Sequence, residues 1–367
     1  MTVGITGLGT YVPDETVTGE AIAAESGIPE EVVVEKMGVR EKRVCPPDGD
    51  HATDMSVKAA EAALADADVD PTDLDVVVYH GSEFKDHVVW SAAAAITDRI
   101  GATNAYATES YTLCAGAPIA LRQVTAQLEA EPIDAALLVA ASREEDLVDY
   151  GNEDSSFMFN FGSGASAFVV ESVDDGGDGD ESGSPGDEPG GPGDEPSDDA
   201  APFDGRARAI VRASAAETDG SFADDVVMPA GGSKRPPSEE TVREGLHTLD
   251  VPDPEGMKER LGPVSLPAYL SVADTALERS GFDREDLDYV ALTHMKRSFH
   301  ERVLDELGLD PEDGYYLDEY GHVQSVDQAL ALTEGVEAGR LEPGNLVCLL
   351  AAGTGYTWSA TVIRWQG

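Results

Sequence analysis

The chain has 367 residues, enough to bury a large core, with 72 Asp and Glu against 24 Lys and Arg and a formal net charge of −48. Self-repulsion on that scale is relieved at molar salt, where the Debye length is about 3 Å, so the composition points to a halophilic cytoplasm and argues against nucleic acid or an anionic membrane as partner. Three widely spaced cysteines, Cys45, Cys114 and Cys348, form no CxxC pair, which indicates neither a disulfide framework nor a metal site and fits a reducing compartment.

The opening Met1-Thr-Val-Gly-Ile-Thr-Gly reads as a buried strand. It has no basic n-region, no apolar h-region and no run near 20 apolar residues, so a soluble, unprocessed, cytoplasmic protein is expected. Short Val/Ile/Leu/Ala runs then alternate with Ala-rich amphipathic segments, the texture of α/β layering. Ala60, Ala63 and Leu64 sit on a predicted helix, Asp70-Pro-Thr-Asp73 on an acidic turn and Val76-Val-Val on a buried strand, followed by Gly81-Ser-Glu83. Further on, a strand-like run ends at Tyr-Thr-Leu-Cys114 and an amphipathic helix begins, carrying Leu121, Val124 and Leu128. Backbone N–H groups at such a helix start lower a thiol pKa from about 8.5 toward 7, which makes Cys114 a candidate nucleophile; the competing reading is a buried structural cysteine.

Residues 173–205 are Asp, Gly, Glu, Ser and Pro with almost no large apolar side chain, a composition expected to stay disordered. This acidic loop divides a half spanning 1–172 from one spanning 206–367. The second half repeats the first: Ala273, Ala276, Leu277 and Asp283-Arg-Glu-Asp286-Leu287-Asp288-Tyr-Val match the helix, turn and strand above at a single offset of 213 residues. In that register Gly81 is the counterpart of His294, each just past its strand. Ligands in open α/β sheets bind beyond the carboxyl ends of strands, so Glu83 and His294 are expected to face one cavity.

Several segments in register resemble the thiolase superfamily, and specifically β-ketoacyl-acyl-carrier-protein synthase III. They are Ile5-Thr-Gly-Leu-Gly-Thr-Tyr-Val-Pro, Met37-Gly-Val-Arg-Glu-Lys-Arg43, Cys114-Ala-Gly, Phe161-Gly-Ser-Gly-Ala-Ser-Ala167, Tyr320-Gly-His, Glu337-Ala-Gly-Arg-Leu-Glu-Pro-Gly-Asn and Gly353-Thr-Gly-Tyr-Thr-Trp-Ser-Ala. The resemblance implies a five-layered αβαβα fold from two duplicated halves, usually a homodimer, and an acyltransferase of lipid metabolism. In that reaction a cysteine takes an acyl group from a thioester, and the carbanion of a second thioester then forms a carbon–carbon bond. Acyl-coenzyme A or an acyl-carrier protein would be the partner, with coenzyme A thioester as substrate rather than cofactor and no metal.

By the same resemblance Cys114 is the nucleophile, His294 and His322 complete the catalytic set, and the backbone N–H groups of Cys114 and Thr354 form the oxyanion hole. Position 322 departs from the family, whose synthase III members carry Asn there; paired histidines occur in the related elongating enzymes. A second departure falls where the family's initiating synthases place a Trp and an Arg against the adenine of coenzyme A; here those positions are Val32 and Lys36, so the aromatic platform is missing. Lys36 and Arg40, with Lys42 and Arg43, remain candidates for carrier phosphates or for ion pairing. Gly81-Ser-Glu83 is similar to the acid/base segment of 3-hydroxy-3-methylglutaryl-CoA synthase, which offers an alternative condensation through Glu83, although that enzyme's His-x-Pro-Phe is absent. Acyl transfer to a heteroatom and a non-catalytic scaffold subunit are further alternatives.

Overall fold

The computed structural model describes residues 2–173 and 205–367. The acidic loop expected over 173–205 falls, apart from its two ends, outside the described residues. The first half runs β1 (Thr2–Tyr11), β2 (Thr16–Thr18), α1 (Gly19–Ser26), β3 (Glu41–Arg43), α2 (Ala52–Ala67), β4 (Val76–Tyr79), α3 (Ala92–Ile100), β5 (Tyr106–Glu109), α4 (Gly116–Ala130), β6 (Ala135–Ser142) and β7 (Gly164–Val173). The second runs β8 (Ala209–Thr218), α5 (Glu239–Arg243), α6 (Pro254–Ser280), β9 (Tyr289–Leu292), α7 (Arg297–Leu307), α8 (Asp327–Glu337), β10 (Leu346–Gly353) and β11 (Thr357–Trp365).

Both halves follow one path. Among the described residues the large sheet has the order β5-β4-β6-β7-β1-β8-β11-β10-β9, and its halves meet where β1 pairs with β8 at Gly4–Ile210 and Ile5–Ala209. In each half a central parallel pair, β4/β6 or β9/β10, leads into an antiparallel neighbour, β7 or β11. A parallel bridge from Val290 to Gly314 stands where β5 borders β4. The repeat is visible residue by residue: the turn at Pro71–Asp73 recurs at Arg284–Asp286, and the preceding helices end in left-handed Asp68 and Gly281, all at the offset of 213 seen in the sequence.

Side chains alternate across each strand, and this alternation builds the layers. Val76 and Val78 of β4 enter the same core as Ala120, Leu121, Val124 and Leu128 of α4, whereas Val77 and Tyr79 enter the outer core with α2 and α3. Likewise Val347 and Leu349 of β10 face inward to α4 and α8, while Cys348 and Leu350 face outward to α6 and α7. Helices α4 and α8 are therefore sandwiched between the two half-sheets, giving the five-layered αβαβα fold. Burying each such Val or Leu side chain contributes about 1.5–3 kcal/mol relative to exposure. Glycine is required where β1 crosses α2: a Cβ at Gly7 or Gly9 would stand 2.2 Å from the carbonyl oxygen of Ala63 or Ala59. Among the described residues no helix is long and apolar enough to cross a membrane.

Candidate active site

Cys114 stands at the carboxyl end of the first half's parallel strands, in a tight turn (Leu113–Ala115) that leads directly into α4. Leu113 holds φ at +52°, a left-handed conformation that costs a non-glycine residue free energy, and it aims the next side chain out of the strand-to-helix turn. The thiol is buried and lines a cavity of about 590 Å³ together with His294, His322 and Thr354. Phe157, Phe161, Met257, Leu261, Phe299 and Tyr356 make most of its wall apolar.

His322 Nε2 lies 3.0 Å from Cys114 Sγ. Its other ring nitrogen, Nδ1, lies 2.6 Å from Oδ2 of Asp327, a residue with no solvent exposure at the first turn of α8. The same Oδ2 accepts the backbone N–H of His294 at 2.7 Å, and Oδ1 accepts that of Val323 at 2.7 Å. The Asp327 oxygens are the only acceptors Nδ1 meets among the described residues, so His322 donates from Nδ1 and turns Nε2 to the sulfur. Burial works against a charged imidazole here, yet Asp327 and the adjacent sulfur hold the His322 pKa well above its ordinary value. For Cys114 the balance is reversed: burial raises the thiol pKa, and His322 pulls against it. The helix start alone therefore does not give the low thiol pKa expected from the sequence; the His322 imidazole is what opposes the rise most.

His294 follows the end of β9 and is buried. Neither ring nitrogen has a hydrogen-bond partner among the described residues, although the ring lines the cavity and packs 4.8 Å from Tyr316. Burial, then the neighbouring His322, His300 and Arg297, keep it well below the usual histidine range, so it is neutral and can donate one N–H into the cavity. Thr354 lies just beyond β10, where Gly353 presses on the nucleophile turn. A Cβ at Gly353 would stand 2.6 Å from the Thr112 carbonyl oxygen and 3.0 Å from the Cys114 nitrogen, which shows how closely this turn approaches the Cys114 backbone.

The other sequence candidates lie elsewhere. Glu83 is exposed and outside the cavity. A different carboxyl, Glu144, lies close enough to Cys114 to act on its thiol: it accepts Ser82 Oγ–H at 2.5 Å and Gln324 Nε2–H at 2.7 Å, and burial raises its pKa. Lys36 is exposed on the turn Val32–Met37, which contributes Met37 rather than a cation to the cavity. Arg40 is engaged with Glu319 and Asp318, Lys42 is buried and donates to the Phe161 carbonyl at 2.6 Å, and Arg43 lies over the Tyr320 ring. Among the described residues the cations that border the cavity are Lys258 of α6, Lys296 just before α7 and Arg302 of α7. Sequence reasoning missed these three as well as Asp327 and Glu144. The available signal was position alone: Asp327 opens the helix after His322, and Glu144 follows the carboxyl end of β6.

Two family profiles match this chain: 3-oxoacyl-[acyl-carrier-protein (ACP)] synthase III over residues 109–182 and its C-terminal domain over residues 277–365. Among curated proteins it is 26% identical to the β-ketoacyl-[acyl-carrier-protein] synthase III of Caldanaerobacter subterraneus subsp. tengcongensis, covering 99% of this chain and 98% of that one. Among solved structures it resembles the 3-oxoacyl-(acyl carrier protein) synthase III of Pseudomonas aeruginosa, with 22% identity, a TM-score of 0.78 and coverage of 100% and 99% of the two chains. A variant of OleA from Xanthomonas campestris with bound lauric acid and lauroyl-CoA shares the fold at 18% identity and a TM-score of 0.75, again covering 100% and 99% of the two chains.

Proposed function

We propose that this chain, similar over nearly its whole length to β-ketoacyl-[acyl-carrier-protein] synthase III proteins, is an acyltransferase of the condensing class that joins two acyl thioesters through an acyl group carried on Cys114. The observation that carries this reading is the 3.0 Å approach of His322 Nε2 to Cys114 Sγ on the wall of an apolar cavity.

In the first stage His322 takes the Cys114 proton and the sulfur attacks the thioester carbonyl. The oxyanion falls to the backbone N–H groups of Cys114 and Thr354. As the tetrahedral intermediate collapses, the carbon–sulfur bond to the carrier breaks and His322 returns the proton to the departing thiolate. In the second stage an acceptor thioester supplies a carbanion. His294, neutral and with no partner on its ring nitrogens among the described residues, donates to the enolate oxygen, and the electron pair forms the new carbon–carbon bond while Cys114 leaves. A malonyl-type acceptor obtains its carbanion by losing carbon dioxide and needs no base. That acceptor is favoured because Glu83, the carboxylate an acetyl-type deprotonation would use, is not in the cavity.

The carrier is a phosphopantetheine thioester, either coenzyme A or a carrier protein, whose phosphates Lys258, Lys296 and Arg302 would receive at the cavity mouth. We further propose a homodimer. The edge strand β5 and the exposed apolar side chains Phe84, Val88 and Val89 provide a surface for a second copy. The strong negative charge fits a high-salt cytoplasm and disfavours nucleic acid or anionic membrane as partners.

The test is a chase of acylated protein with carboxyl-labelled malonyl-coenzyme A or malonyl-carrier protein. Release of labelled carbon dioxide with formation of a 3-ketoacyl thioester supports the reading. Product from an acetyl thioester only, lost in Glu83→Gln, replaces it with the alternative condensation.

A further inference from the structure

We infer that Asp327 is a positioning residue for both catalytic histidines: it fixes the tautomer and charge of His322, so that the Cys114 thiolate forms against an imidazolium, and it pins the backbone that aims His294. The inference rests on the reading of Cys114 as the nucleophile and goes beyond it, because neither the sequence pattern nor the likeness to other condensing enzymes assigns this aspartate a role.

Asp327 has no solvent exposure, and an unpaired carboxylate there would be costly to bury. It is held instead by three N–H donors, from His322 Nδ1, the His294 backbone and the Val323 backbone, at 2.6, 2.7 and 2.7 Å. One oxygen, Oδ2, joins the two histidines, so a displacement of the carboxylate moves the base and the enolate donor together. With Nδ1–H committed to Asp327, Nε2 is the only nitrogen left for the sulfur, 3.0 Å away. The proton then passes from Sγ to Nε2, the new sulfur–carbon bond forms, and Nε2 returns the proton to the departing carrier thiolate. Atoms and charge balance, and no other reactant is needed. A histidine at position 322 without Asp327 could settle into the opposite tautomer, with Nε2–H donating toward the sulfur and no base in place.

The other titratable groups that face this pair are Glu144, His294 and the phenols of Tyr111, Tyr269 and Tyr356. Glu144 and Asp327 both oppose a thiolate through their negative charge. Replacing Asp327 with Asn removes one of those charges, but the positive charge it maintains on His322 lies nearer the sulfur, and the nearer charge dominates. Asn also supplies one oxygen where three donors need an acceptor.

The experiment measures alkylation of Cys114 by iodoacetamide as a function of pH in molar KCl, which reads the thiol independently of any acyl donor. For Asp327→Asn the profile should move to higher pH, and the rate near neutrality should fall by roughly 10²-fold or more. A folded variant whose profile and rate stay within about threefold of the parent overturns the inference. Should the variant not fold, ¹⁵N-histidine NMR of the unaltered protein decides. The His322 resonance, identified by its shift on alkylation of Cys114, must show Nδ1 protonated and hydrogen-bonded throughout the neutral range; an unprotonated Nδ1 overturns the inference. Alkylation that behaves as expected while no thioester acylates Cys114 would instead leave this relay standing and defeat the proposed reaction.

Discussion

Cys114 and His322 are 208 residues apart and come from opposite halves of the duplicated fold, yet Sγ and Nε2 meet at 3.0 Å. The thiol–imidazole pair therefore exists only when the two half-sheets are docked across α4 and α8. Because burial raises the thiol pKa and His322 opposes that rise, acylation should increase with pH through the alkaline range, where the thiolate fraction grows. His322→Gln should move that rise to still higher pH and lower the acylation rate near neutrality by roughly 10²–10⁴-fold. Stopped-flow thiol release from an acyl-coenzyme A across pH checks both statements.

Gly353 is where the second half presses on the turn that carries Cys114. Gly353→Ala would place a Cβ 2.6 Å from the Thr112 carbonyl oxygen and 2.9 Å from the Ala115 nitrogen, so the turn must shift. The expected result is a fall of roughly 10²–10³-fold in kcat with little change in KM, as for loss of an oxyanion donor. Steady-state kinetics on the purified variant, with its melting temperature as control, measures it.

Charge reversal at Lys258, Lys296 and Arg302 together should raise KM for the acyl donor at least about tenfold at low salt and less in molar KCl, where screening shortens the interaction range to about 3 Å. Reversal at Lys36 and Arg40 should change KM little, since Arg40 is already engaged with Asp318 and Glu319 and neither residue borders the cavity. Titrations of KM against KCl concentration separate the two sets.

Acid stability offers a test away from the chemistry. His300 is buried on α7 with its ring 5.1 Å from Tyr316, and burial, then Arg297, lower its pKa from 6.5 to about 4. A histidine depressed in this way binds fewer protons folded than unfolded, so its stability contribution is present above its ordinary pKa and is lost as pH falls through 6.5 toward 4. The loss is on the order of 3 kcal/mol below that window. His300→Phe, which keeps an aromatic ring against Tyr316, should melt with a shallower decline between pH 6.5 and 4 than the parent. Calorimetry across that window measures the difference.

Much of this architecture is legible in the chain because its causes are local. The identities at an offset of 213 residues show the repeat, since each pair of Ala, Leu and Asp positions serves the same helix packing and turn capping in both halves. Cys114 is legible from the change of periodicity on either side of it. Asp327 is not: one aspartate among 72 acidic residues carries no mark until the fold buries it beneath two histidines. Glu144 is hidden for the same reason. The candidates Lys36 and Arg40 follow from position beside a family-like motif, which carries over where a residue sits but not where its side chain is drawn. The acids at 318 and 319 engage Arg40, while Lys258, Lys296 and Arg302 line the cavity from α6, the residue before α7 and α7, where no short motif announces them.

The most direct measurement is intact-protein mass spectrometry in molar KCl after incubation with a panel of acyl-coenzyme A and acyl-carrier-protein thioesters, with peptide mapping. The account predicts a single acyl adduct on Cys114, absent in Cys114→Ala. Turnover retained by Cys114→Ala, or an adduct mapped to another residue, would contradict it.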